Sequence, residues 1–384
     1  MKILHVTKKY PPALGGDAVY VAQLEKEQRK LGHDVFIFCA NCLEIRNKND
    51  SVFTFGLPCK SRDLDRITFK RVVSLGILAF SALFMLKKIR PDIIHVHSVE
   101  LGVIISRAAA LLRIPVVITC HAVLFPYMKE YRLKAVLDYI LFRTSCFSSI
   151  ITVDASSLDA FRAAGLRNCS FFPVGADVDD FGKAERESPA GKEKIRILFV
   201  GRLEKIKGID LLLRALKTMI DEGYDFKAFL AGEGSCEIEL KALAEGLNLG
   251  PRVTFLGPLF DRRELIKLYL SADIFVLPSV REWCPIVLFE AWAASLAVIA
   301  TKTGSIPYIA VDRRDSILIP CLDLPALSGA LRDLMRDEGL RQGISRQGRA
   351  LVEQEYSWKA LAGKLEKLYA SVICDGRPGA ADGR

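Results

Sequence analysis

The feature of this 384-residue chain that most constrains its fold is a regular alternation between short apolar runs and longer, helix-like stretches. Apolar runs of about 4–8 residues are typical of buried strands, whereas the intervening stretches have the length and periodicity of helices. Strands alternating with helices predict parallel sheets that are covered by helices on both faces. Strands are predicted at 2–7, 34–39, 92–96, 115–119 and 149–153, and helices at 17–31, 66–89, 99–112, 129–144 and 155–164.

The same alternation begins again at Ile195, after a charged stretch that contains proline and glycine. The chain is longer than the size at which a single core stops growing, so two domains are expected. We predict an α/β architecture of two Rossmann-like parallel-sheet domains, 1–177 and 195–356, facing a deep interdomain cleft, with 178–194 as the linker and 373–384 as a disordered tail. The second set of strands is predicted at 195–200, 226–231, 252–256, 273–277, 297–300 and 317–319.

Composition and charge narrow the classes of protein. A hydrophobic fraction of 51% excludes a disordered chain. Residues 1–150 carry 22 Lys/Arg against 12 Asp/Glu, whereas residues 191–384 carry 28 against 26. A basic N-terminal half suggests an anionic partner such as a membrane surface or charged substrate, although a merely solubilising surface has the same charge. Aromatic and cationic residues do not interleave in any run, so we expect no nucleic acid partner.

The cysteines and the hydropathy pattern indicate the cellular compartment in which the protein is expected. The ten cysteines include one Cys-x-x-Cys, Cys39 and Cys42, but no second pair at zinc-like spacing, so we expect free thiols in the reducing cytoplasm. The chain opens directly on a strand, and we therefore expect no signal peptide. Val72 to Leu86 is an uncharged stretch of 15 residues, shorter than the ~20 that span a bilayer. We expect a buried helix there, and the alternative is a helix lying in a membrane interface.

The segment 278–307 contains the residues that most strongly suggest a ligand site. Glu282 and Glu290 flank a predicted strand-to-helix junction, with Glu282 in the loop and Glu290 expected about two turns into the helix. Two carboxylates at this spacing can bracket an extended polyhydroxylated ligand. The helix N-terminus between them offers free N–H groups and partial positive charge to a diphosphate. The segment thus predicts a nucleotide-sugar site.

Two further loops follow predicted strands. Gly15 and Gly16 lie between the first strand and its helix, where glycines let the backbone approach a ligand but also suit a plain turn. Arg202 and Lys207 flank the loop after the strand at 195–200, and two fixed cations there can neutralise a leaving diphosphate without a metal ion. Solvated loop cations are the alternative. The D-x-D pairs at 63–65 and 177–179 are interpreted as surface acids, and no metal site is expected.

Taken together, these segments resemble family 4 retaining glycosyltransferases of the GT-B fold, and the resemblance covers almost the whole chain. The matching segments are Gly15-Gly16, 92–98, 119–121, 172–177, 201–208, 231–234, 252–257 and the double-glutamate segment. The resemblance implies that Glu290 binds the nucleotide ribose and Glu282 faces the donor sugar. It also implies that Arg202, Lys207 and the N–H groups of Ile286 and Val287 hold the diphosphate, that His121 points across the cleft at the donor sugar, and that a helix near 357–372 crosses back to the first domain.

The function implied by the resemblance is retaining transfer of a sugar from a UDP- or GDP-linked donor to an acceptor hydroxyl. The expected acceptor is a glycan or lipid-linked saccharide of envelope or exopolysaccharide synthesis, bound at the basic first domain. Lys129, Arg132 and Lys134 are candidates for contact with an anionic membrane there, although an ordinary amphipathic helix has the same pattern and is the preferred interpretation. We expect a metal-independent cytoplasmic enzyme without a cofactor, attached peripherally to the inner face of the plasma membrane. The alternative is a catalytically silent or non-transferase GT-B protein, such as an epimerase.

Several positions depart from the family pattern. Trp283, Ser295, Ala297 and Tyr308 replace residues that the family usually has, and Trp283 and Tyr308 are placed to reshape the sugar pocket. Among the histidines, we expect His95 and His97 to face opposite sides of their sheet. His97 lies nearer the strand end and is the better site candidate of the two. His5 and His33 are expected to be structural.

Overall fold

The computed structural model describes residues 1–11, 16–42, 51–59, 69–121, 132–182 and 194–375. The chain divides into two compact units, the first comprising residues 1–173 and 361–384 and the second comprising residues 174–360. Each unit is built on one parallel sheet. Gly15, the D-x-D pair at 63–65, Lys129 and the tail from residue 376 lie outside the described residues, as does most of the expected linker.

The first unit contains a seven-stranded sheet with the order β3-β2-β1-β4-β5-β6-β7. All described strand pairs in it are parallel, as the alternation of strands and helices predicts. The core is formed by the apolar side chains that the strands direct towards the flanking helices. The strands are β1 (Lys2–Thr7), β2 (Asp34–Cys42), β3 (Val52–Cys59), β4 (Ile93–Val96), β5 (Val116–Cys120), β6 (Ser149–Thr152) and β7 (Cys169–Phe171).

Two strands of this sheet, β3 and β7, were not predicted from the sequence. Both lie at the edges of the sheet, where a strand is paired on one side only. In β3 two of the first four side chains are only half-buried, and β7 has only three residues. Neither strand therefore shows the continuous apolar run that marks a strand buried on both faces.

The helices of the first unit cover this sheet. The helix α2 corrects the expectation of a buried helix between residues 72 and 86, because only one of its faces is buried. Leu78, Ala82 and Leu86 are buried, whereas the Phe80 and Phe84 side chains are 91% and 69% exposed. The helices are α1 (Gly16–Lys30), α2 (Phe69–Ile89), α3 (Val99–Leu111), α4 (Arg132–Thr144) and α5 (Ala155–Ala163). None of the helices among the described residues is long and apolar enough to cross a membrane.

The second unit contains a six-stranded parallel sheet with the order β10-β9-β8-β11-β12-β13. Its strands coincide with the predicted apolar runs to within about two residues. They are β8 (Ile195–Val200), β9 (Phe226–Ala231), β10 (Val253–Gly257), β11 (Ile274–Leu277), β12 (Ala297–Thr301) and β13 (Ile317–Ile319). The helices are α6 (Val178–Gly182), α7 (Ile209–Asp221), α8 (Glu237–Gly246), α9 (Arg262–Ser271), α10 (Ile286–Ala293), α11 (Ile306–Ile309), α12 (Leu324–Arg336) and α13 (Glu338–Leu351).

The described start of the expected linker is part of the second unit. It forms α6, in which Val178 and Phe181 are buried and the Phe181 ring packs edge-on against the Tyr269 ring at 5.9 Å. The last helix, α14 (Trp358–Asp375), begins in the second unit and continues into the first from Leu361 onwards. It therefore includes residues 373–375, which were expected to belong to a disordered tail.

Close packing around tryptophan positions the helices of the second unit. Trp292 of α10 is fully buried, and its indole Nε1 donates a hydrogen bond to the Asp315 carbonyl oxygen at 3.0 Å. A Cβ atom on Gly348 would come within 2.4 Å of the Trp292 ring, so only glycine fits at that position of α13. Gly175 packs in the same way against Trp358, at 2.6 Å. The contact between Gly348 and Trp292 fixes the distance between α10 and α13.

Candidate functional site

The strand order reverses once in each sheet, next to the first strand of each unit. In the first unit the reversal lies between β1 and β4, and in the second it lies between β8 and β11. Parallel α/β sheets bind ligands just beyond the carboxyl ends of their strands at such a reversal. The predicted site residues of each unit follow these strands or their neighbours in the same sheet. The two reversals are therefore the places where functional side chains are expected to meet.

In the second unit, the loops beyond the strand ends are held together by direct backbone contact. Gly208 has φ 64°, and a Cβ atom there would lie 2.2 Å from the Pro278 carbonyl oxygen. Gly304 has φ 56°, and its Cβ would lie 1.8 Å from the Glu282 carbonyl oxygen. Because only glycine accommodates both the left-handed conformation and this approach, these two positions fix the loops around Glu282.

Glu282 is the centre of a buried polar cluster. Its Oε1 accepts hydrogen bonds from Lys207 Nζ at 2.6 Å and from Ser279 Oγ at 2.7 Å. The residue is 8% exposed, and the Lys207 side chain is 15% exposed. A buried ion pair is stable only when hydrogen bonds satisfy its charges, as they do here. The structure thus brings together two predicted site residues that are 75 positions apart in the sequence.

Glu290 is held in a second polar cluster. Its two carboxylate oxygens are engaged by Arg262 and by the Tyr269 hydroxyl, the latter at 2.9 Å. Burial, and then the negative charge of Glu290, raise the pKa of Tyr269 well above its ordinary value, so the phenol remains a hydrogen-bond donor. The helix begins at Ile286, so Glu290 lies a little over one turn into it rather than about two turns.

The remaining predicted diphosphate ligands have different surroundings. The Arg202 side chain is 67% exposed and pairs with Glu204 at 2.5 Å, so its contact is local. Ile286 and Val287 are the first two residues of α10, after Pro285, and the first N–H groups of a helix have no partner within the helix. Gly16 is the first residue of α1, the helix that follows the first strand of the first unit.

The residues that depart from the family pattern fall into two groups. The Trp283 and Tyr308 side chains are 43% and 56% exposed, so both can reach a bound molecule. Ser295 instead lies in the turn between α10 and β12, and Ala297 is the buried first residue of β12. Ser295 has φ 57° at the C-terminal turn of α10, a conformation that favours glycine. The first group is partly exposed to solvent, and Ser295 in the second group has a strained backbone conformation.

The carboxyl end of the first sheet carries a cluster of four histidines: His5, His95, His97 and His121. The expectation that His95 and His97 face opposite sides is wrong, because residues two apart in a strand share a face. Their ring centroids are 4.3 Å apart. His5 Nδ1 lies 2.9 Å from His97 Nε2, and His97 Nδ1 lies 3.4 Å from His121 Nε2.

Four other side chains complete this cluster. The Gln28 Oε1 atom lies 2.7 Å from His5 Nε2, and the two nitrogens of His95 each lie 2.6 Å from a hydroxyl, of Tyr369 and of Thr119. The edge of the Tyr20 ring packs on His121, with the centroids 4.7 Å apart. Three of the histidines have nitrogens close enough to share an ion. However, both ring nitrogens of each of these three already lie within hydrogen-bonding distance of protein atoms, so we interpret the cluster as a hydrogen-bonded network.

Burial keeps these imidazoles neutral. It lowers the pKa of His5 and of His121 to about 4, and it lowers the pKa of His95 and of His97 well below the ordinary value. The neighbouring histidines lower the last two further, because like charges repel. At neutral pH each ring therefore has one N–H donor and one nitrogen acceptor.

Several residues of both sites could not be identified from the sequence. Ser279 lies two residues beyond the end of β11, and this position after a strand is the one available signal. Arg262 and Tyr269 belong to α9 and reach Glu290 from another part of the chain. Gln28 and Tyr369 lie 341 residues apart, and no local pattern connects them.

Comparison with known proteins assigns the family. The family described as Glycosyl transferases group 1 matches residues 180–351, and Glycosyltransferase Family 4 matches residues 14–180. The two matches together span residues 14–351, which include the whole sheet of the second unit and all strands of the first sheet except β1. The chain belongs to the family 4, group 1 glycosyltransferases, and it is a transferase enzyme with the two-domain parallel-sheet fold of the GT-B class.

Individual relatives agree with this assignment. The chain is 32% identical over 248 residues to a D-inositol 3-phosphate glycosyltransferase of Corynebacterium jeikeium, a match that covers 60% of this chain and 58% of that protein. It is 26% identical over 396 residues to a glycogen synthase of Mycobacterium tuberculosis, covering 96% and 94%. The solved structure of HepE from Anabaena in complex with UDP has a TM-score of 0.71 at 18% identity, covering 97% and 100%. The homologues favour a glycosyltransferase over a silent or epimerase-type protein.

Proposed function

We propose that this glycosyltransferase transfers a sugar from a UDP- or GDP-linked donor to an acceptor hydroxyl, with retention at the anomeric carbon. The observation that carries the proposal is the buried cluster of Lys207, Glu282 and Ser279 at the strand reversal of the second unit. A cation and a carboxylate held together beside a helix N-terminus suit a ligand that has both a diphosphate and sugar hydroxyls.

Each residue has a chemical role in this proposal. Negative charge develops on the diphosphate as the glycosidic bond breaks, and Lys207, Arg202 and the N–H groups of Ile286 and Val287 stabilise it. Glu290 accepts hydrogen bonds from the ribose hydroxyls through lone pairs that Arg262 and Tyr269 leave available. Glu282 faces the donor sugar. Because these groups supply fixed positive charge, the proposed reaction requires no metal ion.

His121 is the proposed contact from the first unit to the donor sugar, and Gly15 and Gly16 allow the backbone to approach it. A glycan or lipid-linked saccharide of envelope or exopolysaccharide synthesis is the proposed acceptor. The excess of basic residues in the first 150 positions supports an anionic acceptor or an anionic surface at this unit. We propose a cytoplasmic location for the enzyme.

Donor binding can be tested with a thermal-shift panel of UDP, GDP and their common sugar conjugates, with and without EDTA. A nucleotide at a hundred times its dissociation constant stabilises the protein by about 2.7 kcal/mol, a shift of several degrees. We expect one nucleotide to produce this shift in EDTA. Glu290→Gln should abolish it, whereas the exposed-site control Glu239→Gln should retain it. No shift with any nucleotide would contradict the proposal.

A peripheral contact with an anionic membrane is proposed for α2. Ile77, Phe80 and Phe84 lie three and four positions apart on the exposed face of this helix, which is followed by the exposed cations Lys87 and Lys88. Aromatic residues flanked by cations suit the boundary between headgroups and acyl chains of anionic lipids. This arrangement supports the membrane-interface alternative for the 72–86 segment.

Vesicle sedimentation tests this contact. The wild-type protein should bind vesicles of phosphatidylglycerol better than vesicles of phosphatidylcholine, and Phe80→Ser/Phe84→Ser should reduce binding several-fold. Phe260 in the second unit is 89% exposed, so Phe260→Ser is a matched control that should leave binding unchanged. Equal losses in the two variants would contradict a specific role for α2.

A further inference from the structure

The hydrogen bonds of the histidine cluster have a direction that one side chain sets. An amide oxygen only accepts hydrogen bonds, so with Gln28 Oε1 beside it, His5 Nε2 must carry the proton. His5 Nδ1 is then a bare acceptor, and it can bond to His97 only if His97 Nε2 is protonated. By the same reasoning His97 Nδ1 accepts from His121 Nε2. The proton positions therefore follow from Gln28 along three rings.

A second branch leaves the same amide and agrees with this orientation. Gln28 Nε2 lies 3.4 Å from the Tyr369 hydroxyl oxygen, which accepts from it. The hydroxyl proton is then available to His95 Nδ1 at 2.6 Å, and His95 Nε2 donates to Thr119 Oγ1. Turning the amide over would reverse both branches together. One side chain thus controls the protonation pattern of four imidazoles.

The consequence appears at His121, the outermost ring of the first branch. With its proton on Nε2, His121 has an unprotonated Nδ1, which can accept a hydrogen bond. His121 is the partly exposed member of the cluster, whereas His5, His95 and His97 are buried. A ring at this position that could exchange freely between its two neutral forms would be an acceptor only part of the time.

We propose that Gln28 is a positioning residue that acts through His5 and His97 to hold His121 with Nε2 protonated and Nδ1 bare, so that His121 accepts a hydrogen bond from a hydroxyl of the bound donor sugar. The proposal rests on the proposed function for the identity of the ligand. The direction of the hydrogen bonds along His5, His97 and His121 is a separate property of the protein and can be measured without any substrate.

The charged and titratable groups around the chain are compatible with a neutral network. Glu25 and Arg29 act on His5 from α1, with opposite effects on its charge. Among the residues that the structure describes, the other groups in contact with these rings are the phenols of Tyr369 in α14 and Tyr20 in α1, the Thr119 hydroxyl and the histidines themselves. Replacing Gln28 with glutamate would introduce a negative charge beside His5 and favour its doubly protonated form.

The Gln28→Glu substitution should reverse the direction of the hydrogen bonds along His5, His97 and His121. Doubly protonated His5 would donate from Nδ1 to His97 Nε2, His97 would donate from Nδ1 to His121 Nε2, and the His121 proton would move to Nδ1. His121 could then no longer accept a hydrogen bond. In Gln28→Glu we therefore expect the donor KM to rise about tenfold below the new pKa of His5 and to recover above it, because one hydrogen bond is lost. The wild-type KM should not change in this pH range.

The experiment combines nitrogen NMR of histidine-labelled full-length protein with donor KM measured between pH 5.5 and 8.5. His121→Asn identifies the His121 resonances. We expect wild-type His121 to be protonated on Nε2 and the Gln28→Glu variant to show Nδ1 protonation at low pH. Gln23→Glu, the same change on the same helix, should match the wild type in both measurements.

Two results would overturn the proposal: wild-type His121 protonated on Nδ1, or a metal-type spectrum of the cluster that EDTA removes. The wild-type spectrum tests the protonation of His121 even if Gln28→Glu does not fold. Gln28→Met provides a second variant, which should show a mixture of the two neutral forms of His121. Failure of the proposed function would give a different result from failure of this proposal. No donor would be turned over, but the wild-type spectra would still show His121 protonated on Nε2.

Discussion

The strand reversals of the two units have the same topology, but the polar side chains there are uncharged in the first unit and ionised in the second. In the first unit, the reversal is lined by uncharged imidazoles, an amide and hydroxyls that are connected by hydrogen bonds. In the second unit, the corresponding position contains ionised pairs, Lys207 with Glu282 and Arg262 with Glu290. The comparison teaches that one fold can support either kind of polar site, and that the side chains after the strands determine which kind is present.

The largest effect is expected where a charge of the second unit is removed. Lys207→Met should reduce kcat by about 10²–10³-fold, the typical loss when one group that stabilises a developing negative charge is removed. Lys205→Met is the matched control, because Lys205 is exposed in the same turn and should be dispensable. Steady-state transfer assays on both variants measure the difference.

The double variant Lys207→Met/Glu282→Gln distinguishes chemistry from structure. It removes both charges, so stability should recover relative to Lys207→Met, which leaves a buried carboxylate unpaired. Transfer activity should remain low. Recovery of activity together with stability would mean that the ion pair serves only the fold.

The next effect concerns the backbone that supports the charged site. Gly304→Ala should destabilise the protein by about 2–4 kcal/mol, because a Cβ there meets the Glu282 carbonyl oxygen in addition to the left-handed strain. Gly257 also has positive φ but has open space around its Cβ position, so Gly257→Ala should cost only about 1 kcal/mol. Urea unfolding of both variants compares the two costs, and equal losses would contradict the steric argument.

Acidification should affect the first unit selectively. All five histidines of the chain belong to it, and burial lowers the pKa of His5 to about 4 from an ordinary 6.5. Between these pH values the unfolded chain binds a proton that the folded chain does not. The free energy of unfolding therefore has its full value above pH 6.5 and decreases as the pH falls towards 4. The slope approaches about 1.4 kcal/mol per pH unit for each such histidine.

Hydrogen exchange at pH 7 and pH 5, corrected for the intrinsic exchange rate, would measure this difference. Protection should fall in the strands β1, β4 and β5 while the sheet of the second unit serves as the internal reference. An equal loss of protection in the two sheets would show that the histidine cluster does not determine acid sensitivity.

The smallest expected effect is a gain in stability. Ser295 has φ 57° after α10, where Leu296 donates its N–H to the Ala291 carbonyl oxygen in a typical helix-terminating turn. Ser295→Gly should therefore stabilise the protein by about 1 kcal/mol, because glycine adopts this conformation without steric cost. Thermal unfolding measures the change. A loss of stability would mean that the serine side chain contributes an interaction that outweighs the strain.

The sequence predicts the sheets much better than it predicts the polar networks. Buried parallel strands have a continuous apolar pattern, so all of the central strands were found and the edge strands β3 and β7 were missed. The predicted residues Lys207 and Glu282 are in contact, but their pairing and the role of Ser279 depend on loops that approach each other only in the folded chain. The histidine network depends on Gln28 and Tyr369, which no sequence pattern links to His5.

The distribution of tryptophan makes the two units spectroscopically distinguishable. All three tryptophans of the chain, Trp283, Trp292 and Trp358, belong to the second unit. Trp292 and Trp358 are buried, whereas Trp283 is 43% exposed and adjacent in sequence to Glu282. Selectively excited tryptophan emission thus reports unfolding of the second unit, and quenching of the exposed indole can register occupancy beside Glu282 without any attached dye.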